Sequence, residues 1–547
     1  MGVEGLPCTV ERRLAHETPT LTLPRSTRGG EEGGASNQER GVDLESEVAS
    51  NQVPESEQAG SSIGWLLLAM LVMGAGIAMR LWFYLYNRSM YRDEAALALN
   101  VVGRTFGGLL KPLDNDQGAP IGFLMIEKLV IRLLGNHEWS LRLAPLSASI
   151  LSLPLFYWLC RKVLTPGGAV MALVVLAMGA KQYDYSADTK QYSTDVLLTV
   201  LTLLLGVIAV GDWSRGLSPS KRGTIALGIV GALAIWFSHP VAFVLGGIAV
   251  LGAMEWFGGK PRPDPRPMLF VAAAWAVSFA GNYFLVLHRL SQSAFMRSFW
   301  AQADAFAPAP KSIAALVWYK ETFFEIFESP LSMGFVGLCA LVFVVGVGML
   351  WRRKKSAALA LLLPIVFTLA ASGFDKYPFK ERLILFICPM LAIFIGAGFE
   401  YLFQGQRRPV GIIALIFLLI TPLNKTREFI SKPWLHSDMR QVMSLVSAHR
   451  QPGDELYVDE FCYYPYEYYR DRFGLADLPA REVMQNGVAG VEGYKELFAP
   501  RKGKRVWVMF ENAPQRQEWA LMALDGMGKP VFHATPFEDY VACYDLR

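Results

Sequence analysis

A chain of 547 residues with 52% hydrophobic residues, 18% charged residues and a mean hydropathy of +0.29 is too apolar for an ordinary water-soluble protein of its size. It reads as a polytopic α-helical membrane protein in contact with a lipid bilayer. The formal charge of +4 is small and no basic stripe interleaves with aromatics, which sets a nucleic-acid partner aside.

Residues 1–60 carry eleven acids against five arginines and have almost no apolar periodicity, the composition of a disordered tail. No short basic stretch precedes a small-residue cleavage site, so the first apolar run is expected to stay as a helix. Runs long enough to cross the hydrocarbon layer fall near 63–86, 139–160, 167–183, 193–211, 223–238, 240–257, 268–288, 330–350, 356–373, 383–403 and 409–424. That makes about eleven spans. Only "SHP" joins the fifth and sixth, which leaves open a single re-entrant unit. Between the first two spans lie amphipathic pieces, "PLDNDQGAPIGFLMIEKLVIRLLG" among them, suited to the membrane surface rather than its interior.

Lys and Arg concentrate in "CRKV", "WSRGLSPSKRG", "GGKPRPDPRP", "WRRKKS" and "GQRRP", and basic loops stay cytoplasmic. The tail 1–60 then lies inside. "YRDEA", "KQYDYSADTKQYSTD", "SHP", the segment 289–329, "GFDKYPFKER" and everything after residue 425 lie outside, in a multi-pass protein of the cell (inner) membrane. One flank disagrees, because Arg80, Arg88 and Arg92 follow the first helix.

Three domains are expected: the tail, a membrane domain over 61–425, and an extracytoplasmic α/β domain over 426–547. In the last, "DELYVDE", "KRVWVMF" and "EDYVACYDLR" read as strands, and "YPYEYYRDRF" and "PQRQEWALMALDGM" as helices. No Walker loop, GxSxG elbow or HExxH occurs. Cys160, Cys339 and Cys388 fall in apolar spans as packing residues, whereas a disulfide between Cys462 and Cys543 is left open.

The acids Asp93 and Glu94 in "NRSMYRDEAALAL" stand where the chain has just left the lipid. They suit the first turn of a helix, or they carry chemistry. "YRDEA", the Gln-Gly-x-Pro element in "DQGAPIGFL" and "HEWSLRLAPLSASILSLPLFYWLCRKV" resemble the opening of the GT-C glycosyltransferases. The nearest groups are the dolichyl-phosphate-mannose protein mannosyltransferases, the lipid A aminoarabinose transferase and related bacterial core sugar transferases. The resemblance covers about 63–425 and is strongest over 90–200. It implies a GT-C type membrane enzyme of cell-envelope glycosylation, a hexosyl- or pentosyltransferase. Such an enzyme moves a sugar from a polyprenyl-phosphate carrier to a lipid, glycan or protein acceptor on the outer face, with Asp93 as catalytic base. A carboxylate that takes the acceptor's hydroxyl proton is what the oxocarbenium-like transition state requires.

In the next outer loop, "AKQYDYSADTKQYSTDVLL" resembles the family's S-x-E-x-R-Y element, with Asp188 in the acidic and Lys190 in the basic position. The resemblance makes Asp188 a second catalytic candidate, orienting the acceptor or holding a divalent cation with other outer carboxylates. An ordinary polar hairpin is the alternative. No dense carboxylate or His cluster has ligand spacing, so no metal residues are assigned. Substrate contacts are expected from Glu94, Lys190, His239, Lys376, Lys380 and Arg382. The carrier phosphate falls to the last three, Arg382 foremost, because a guanidinium grips two phosphate oxygens. Headgroup snorkelling would equally explain those bases, and backbone satisfaction would explain His239. Glu138 and Arg142, one helical turn apart, are expected to pair. The aromatic stretch "FMRSFWAQADAFAPAPKSIAALVWYKETFFEIF" reads as a lid over the carrier or as plain interfacial helices. Two rival functions share the pattern: a transporter or flippase of lipid-linked sugars, with Asp93 as an ion site, and a polysaccharide polymerase or ligase. The first is disfavoured because transporters place ionisable residues near mid-membrane.

Overall fold

The computed structural model describes residues 55–214, 221–258, 264–431, 437–478, 480–482, 488 and 490–547. Of the tail expected to be disordered, residues 1–54 lie outside them, whereas residues 55–60 form the start of the first helix. Most elements are helices, in the order α1 (Glu55–Tyr86), α2 (Arg92–Gly103), α3 (Ile121–Leu134), α4 (Glu138–Val163), α5 (Pro166–Met178), α6 (Tyr192–Ser214), α7 (Lys221–Phe237), α8 (Val241–Gly258), α9 (Arg266–Asn282), α10 (Ala294–Gln302) and α11 (Ile313–Glu328). There follow α12 (Val336–Arg353), α13 (Lys355–Gly373), a 3-10 segment Glu381–Ile387 running into α14 (Cys388–Leu402), and α15 (Arg408–Ser431).

Each of the eleven apolar runs forms a helix. Among the described residues nine are long and apolar enough to cross a membrane, which makes this a multi-pass membrane protein. The count of eleven is corrected at α5, only 13 residues long and short for the hydrocarbon layer, while α7, with 17 described residues, stands at the lower limit of a span. The "SHP" connection joins two separate helices, α7 and α8.

The Glu381–Leu402 segment is the centre of the bundle, with 94% of its apolar window buried. Small residues let its neighbours approach. At Gly346 of α12 and at Gly398 of α14 an added Cβ would run into the backbone of the facing helix, the small-residue packing that helices use in lipid. A buried arginine ties the short α5 into the bundle. Arg80 of α1 donates to Ser149 Oγ at 2.7 Å and to the Ala177 carbonyl at 3.2 Å, so the carbonyls where α5 ends are not left unsatisfied.

Beyond the helices lies a five-stranded sheet of order β2-β1-β3-β5-β4, made of β1 (Glu455–Val458), β2 (Ala480–Glu482), β3 (Arg505–Glu511), β4 (Lys529–Ala534) and β5 (Asp539–Asp545). β1 runs parallel to β2 and β3, while β5 runs antiparallel to β3 and β4. Strand alternation sends Leu456, Val458, Trp507, Met509 and Cys543 to one face and Tyr457, Val506, Val508, Phe510 and Tyr544 to the other. The second face is covered by α18 (Gly490–Phe498) and α19 (Pro514–Asp525), whose Tyr494, Phe498 and Leu524 join its core. The first face packs with α16 (Met439–His449) and α17 (Tyr463–Tyr469) into a core that also holds Leu97, Val101, Phe123 and Leu141 of α2, α3 and α4. The α/β region thus shares its hydrophobic core with the surface helices. Cys462 and Cys543 are both buried and free, which answers the open question of a disulfide.

Candidate functional site

Leaving α1, the chain passes through residues 87–91 and enters α2, whose first turn holds Asp93 and Glu94 without a side-chain cap. Adjacent side chains on a helix point about 100° apart, and here the two acids have different surroundings. Glu94 is fully buried and grips Arg142 of α4 through two bonds of 2.9 and 2.7 Å, and it also accepts from the Thr189 backbone N–H at 2.8 Å. Burial resists its ionisation, but Arg142 and the other donors more than compensate and hold its carboxyl below the usual value. The expected pair between Glu138 and Arg142 is not formed. Arg142 belongs to Glu94, while Glu138 takes Arg472 at 3.0 Å and the Tyr469 hydroxyl at 2.9 Å. Helical spacing brought the two residues near one another, but tertiary partners claimed both.

Asp93 is 31% exposed and forms an ion pair of 2.7 Å with Arg382, a residue 289 positions along the chain. Glu381 stands at φ 45°, a sparsely populated conformation for a residue with a Cβ, and that turn starts the 3-10 segment carrying Arg382. The Arg382 guanidinium lies 5.7 Å from the ring of Trp300 in α10, and its buried Nε has no hydrogen-bond partner among the described residues. Burial raises the Asp93 carboxyl, but Lys190, Arg382 and Arg92 together outweigh it and leave the group below its ordinary value.

The loop between α5 and α6 supplies the other side. Lys190 is buried and donates to Gln117 Oε1 at 2.7 Å, so the "DQGAP" element touches the same centre. Burial lowers the Lys190 ammonium, with Asp93 opposing. Asp188 is fully buried and accepts from the Tyr91 hydroxyl at 2.9 Å, while its Oδ1 has no partner among the described residues. Burial, followed by the charge of Glu94, pushes its carboxyl up toward the neutral form.

Asp93, Asp188, Lys190 and Arg382 are therefore brought together near the ends of several helices. The other expected residues are placed differently. Lys380 donates to the Ala303 carbonyl at 3.0 Å and stands 3.8 Å from Glu325. Lys376 is exposed, and its side chain has no hydrogen bond or ion pair among the described residues. His239, between α7 and α8, has both ring nitrogens buried without a partner among those residues, and burial pushes it down to about 4. The aromatic stretch forms α10 and α11, stitched to the Arg382 segment where the Phe379 N–H donates to the Ala305 carbonyl at 2.7 Å. Sequence reading assigned no individual role to Tyr91, Gln117, Tyr192 or Trp300, which stand out there only as parts of longer stretches, Gln117 in the Gln-Gly-x-Pro element among them. Among the described residues no group of three or more His, Cys, Asp or Glu could hold a metal ion.

Beside the cluster a cavity of about 220 Å³ opens between the 109–121 loop and residues 285–296, with Leu110, Gln117, Leu290 and Met296 in its wall and Lys111 and Arg289 contributing the positive charge. The α/β region reaches the centre from above. Tyr469 accepts from the Met90 backbone N–H at 2.9 Å, Arg440 bonds the Asn87 carbonyl, and Arg92 pairs with Glu460 at 3.0 Å.

No family model matches the chain, and no curated protein matches it in sequence. Solved structures do match. The crystal structure of ArnT from Cupriavidus metallidurans bound to undecaprenyl phosphate aligns with a TM-score of 0.52 at 13% identity, over 88% of this chain and 98% of that one. The apo form of the same protein aligns at 0.50 and 12%, over 89% and 98%. An oligosaccharyltransferase from Archaeoglobus fulgidus in complex with Zn and sulfate aligns at 0.46 and 12%, over 85% and 72%. The fold of this chain is thus similar to that of ArnT over most of both chains.

Proposed function

We propose that the protein is a membrane glycosyltransferase that moves a single sugar from a polyprenyl-phosphate carrier to an acceptor hydroxyl at the extracytoplasmic face of the cell membrane. The observation that carries this reading is the ion pair between Asp93 and Arg382 beside buried Lys190. A base and a phosphate-sized patch of positive charge occupy one centre. The donor phosphate binds Arg382, whose guanidinium suits two oxygens, and Lys190 adds a second cation. In taking Arg382 the phosphate releases Asp93 from its pair. The freed carboxylate becomes more basic at the moment the sugar arrives, which couples activation of the base to donor binding.

The acceptor oxygen then forms a bond to the anomeric carbon as the bond from that carbon to the phosphate oxygen breaks. Asp93 takes the acceptor's proton, and the leaving phosphate keeps the electron pair beside Arg382 and Lys190. Asp188, held neutral by burial and Glu94, offers a hydrogen bond without repelling the anion. Glu94 acts as a positioning residue through Arg142, because its two oxygens are already occupied. Single-turnover transfer from labelled polyprenyl-phosphate sugars by the purified protein tests the reading. Release of free carrier phosphate with labelled sugar on an acceptor is expected, and binding without transfer across hexose and pentose donors would reject it.

A further inference from the structure

Below the Arg382 centre, α6 carries polar side chains on the face that turns into the bundle. Gln191, immediately before the first residue of α6, and Asp195 and Thr199 within it are spaced four residues apart, so they line one side, and their exposures are 8%, 5% and 0%. Gln191 Oε1, Asp195 Oδ1 and Thr199 Oγ1 are buried without a hydrogen-bond partner among the described residues. From the short connection between α7 and α8, Ser238 reaches the Asp195 carboxyl with a hydrogen bond. Both nitrogens of neighbouring His239 are likewise unpartnered among those residues. Tyr192, one turn before Asp195, lies within electrostatic reach of Arg382, Asp93 and Asp195 alike. Burying such atoms without a bond is costly, so a stripe of them inside a membrane bundle asks for a ligand.

The chemistry of the stripe narrows that ligand. It contains no Lys or Arg, so it does not suit a second phosphate. One carboxylate is too few for a divalent cation. Amide, carboxyl, hydroxyl and imidazole groups together offer donors and acceptors in alternation, and a group that both donates and accepts at every position is a polyol. We propose that Gln191, Asp195 and Thr199, with Ser238 and His239, form the seat of the transferred sugar ring, recognising its hydroxyl groups while Arg382 holds the phosphate. This rests on the glycosyltransferase reading and adds the residues that would select the sugar.

The experiment measures binding of undecaprenyl phosphate, bare or carrying glucose, mannose or arabinose, to the full-length protein purified in detergent. Wild type, Asp195→Asn, Thr199→Val and Arg382→Ala are compared, each first checked for a single size-exclusion peak. The best glycosylated lipid should bind wild type more tightly than bare lipid, and Asp195→Asn and Thr199→Val should each reduce that advantage by about 10-fold, the scale of one lost hydrogen bond to a buried polar group. Their affinity for the bare lipid should stay within about 2-fold of wild type, since the phosphate contact is elsewhere. Retention of the full sugar-dependent advantage in both variants overturns the proposal, as does the absence of any such advantage in wild type. Failure of bare lipid to bind, or its undiminished binding to Arg382→Ala, instead refutes the underlying functional reading.

Discussion

Replacing Asp93 with Asn should move catalysis and donor binding in opposite directions. The Asn side chain keeps the shape but cannot take the acceptor's proton, so transfer should fall by roughly 100-fold or more, the usual scale for removing a general base. Binding is worked from the ion pair. Two unit charges about 4 Å apart at an effective dielectric of about 20 attract by about 4 kcal/mol. Asp93 and Arg382 are 31% and 22% exposed, however, and solvent competition reduces such a pair to about 1 kcal/mol. A donor phosphate must displace that pair in wild type and need not in the variant. Asp93→Asn should therefore bind bare undecaprenyl phosphate about 5-fold more tightly, the equivalent of about 1 kcal/mol. Equilibrium binding and single-turnover transfer on the same purified protein give both numbers. Weaker or unchanged lipid affinity would refute the release of Asp93 by phosphate, and near wild-type transfer would remove Asp93 as the base and reopen the transporter reading.

Arg142→Met should strip a fully buried carboxylate of its partner and destabilise the fold by about 3–5 kcal/mol, with most of the loss recovered in the Glu94→Leu/Arg142→Met double variant; thermal melts in detergent would expose an error if the single variant melted like wild type. Because Asp188 is held neutral above the ordinary carboxylate range, donor affinity should decline as pH rises past neutral, and Asp188→Asn should flatten that limb; an unchanged profile would contradict the assignment. Burial raises Asp539 to about 7 against hydrogen bonds from Asp438 and Ser437 that oppose it. Between about pH 4 and pH 7 the unfolded chain has shed a proton that the folded chain keeps, so this group's contribution falls as pH rises. Melting of Asp539→Asn should lack that part of the pH dependence, and parallel curves would argue against it. A reporter fused after Arg547 should be active outside the cytoplasm and one fused within "WRRKKS" inside; the same side for both would overturn the proposed orientation.

The helical framework was legible because each span repeats one signal, apolar length, many times over. The sheet was legible at β1, β3 and β5, where alternation is strong. It was not legible at the three-residue β2, or at β4, where "KPVFHA" contains a proline and a register shift. Asp93, Asp188, Lys190 and Arg382 could be nominated because charge is conspicuous where a chain leaves lipid. Their mutual geometry could not, since Asp93 and Arg382 are joined only by the folded bundle. The pairing expected for Arg142 failed for the same reason: local spacing says which residues can meet, not which long-range partner is stronger. Arg80, counted among the bases that follow the first helix, lies inside α1, and Asp195 was passed over because a hydropathy average hides a single polar residue.

The shared core of the α/β region and α2 bears on the order in which the protein can be made. Residues 87–92, which lead into Asp93, are bonded by Asp438, Arg440, Glu460 and Tyr469, all of them synthesised hundreds of residues later. A nascent chain can insert its helices one after another as they emerge. The segment 87–92 lacks these partners until the last stretch has been translated and packed down onto α2. Premature termination near residue 431 would thus leave an inserted bundle with an exposed apolar face on α2 and an incomplete centre. Quality control would meet the protein in that state, before its site is whole.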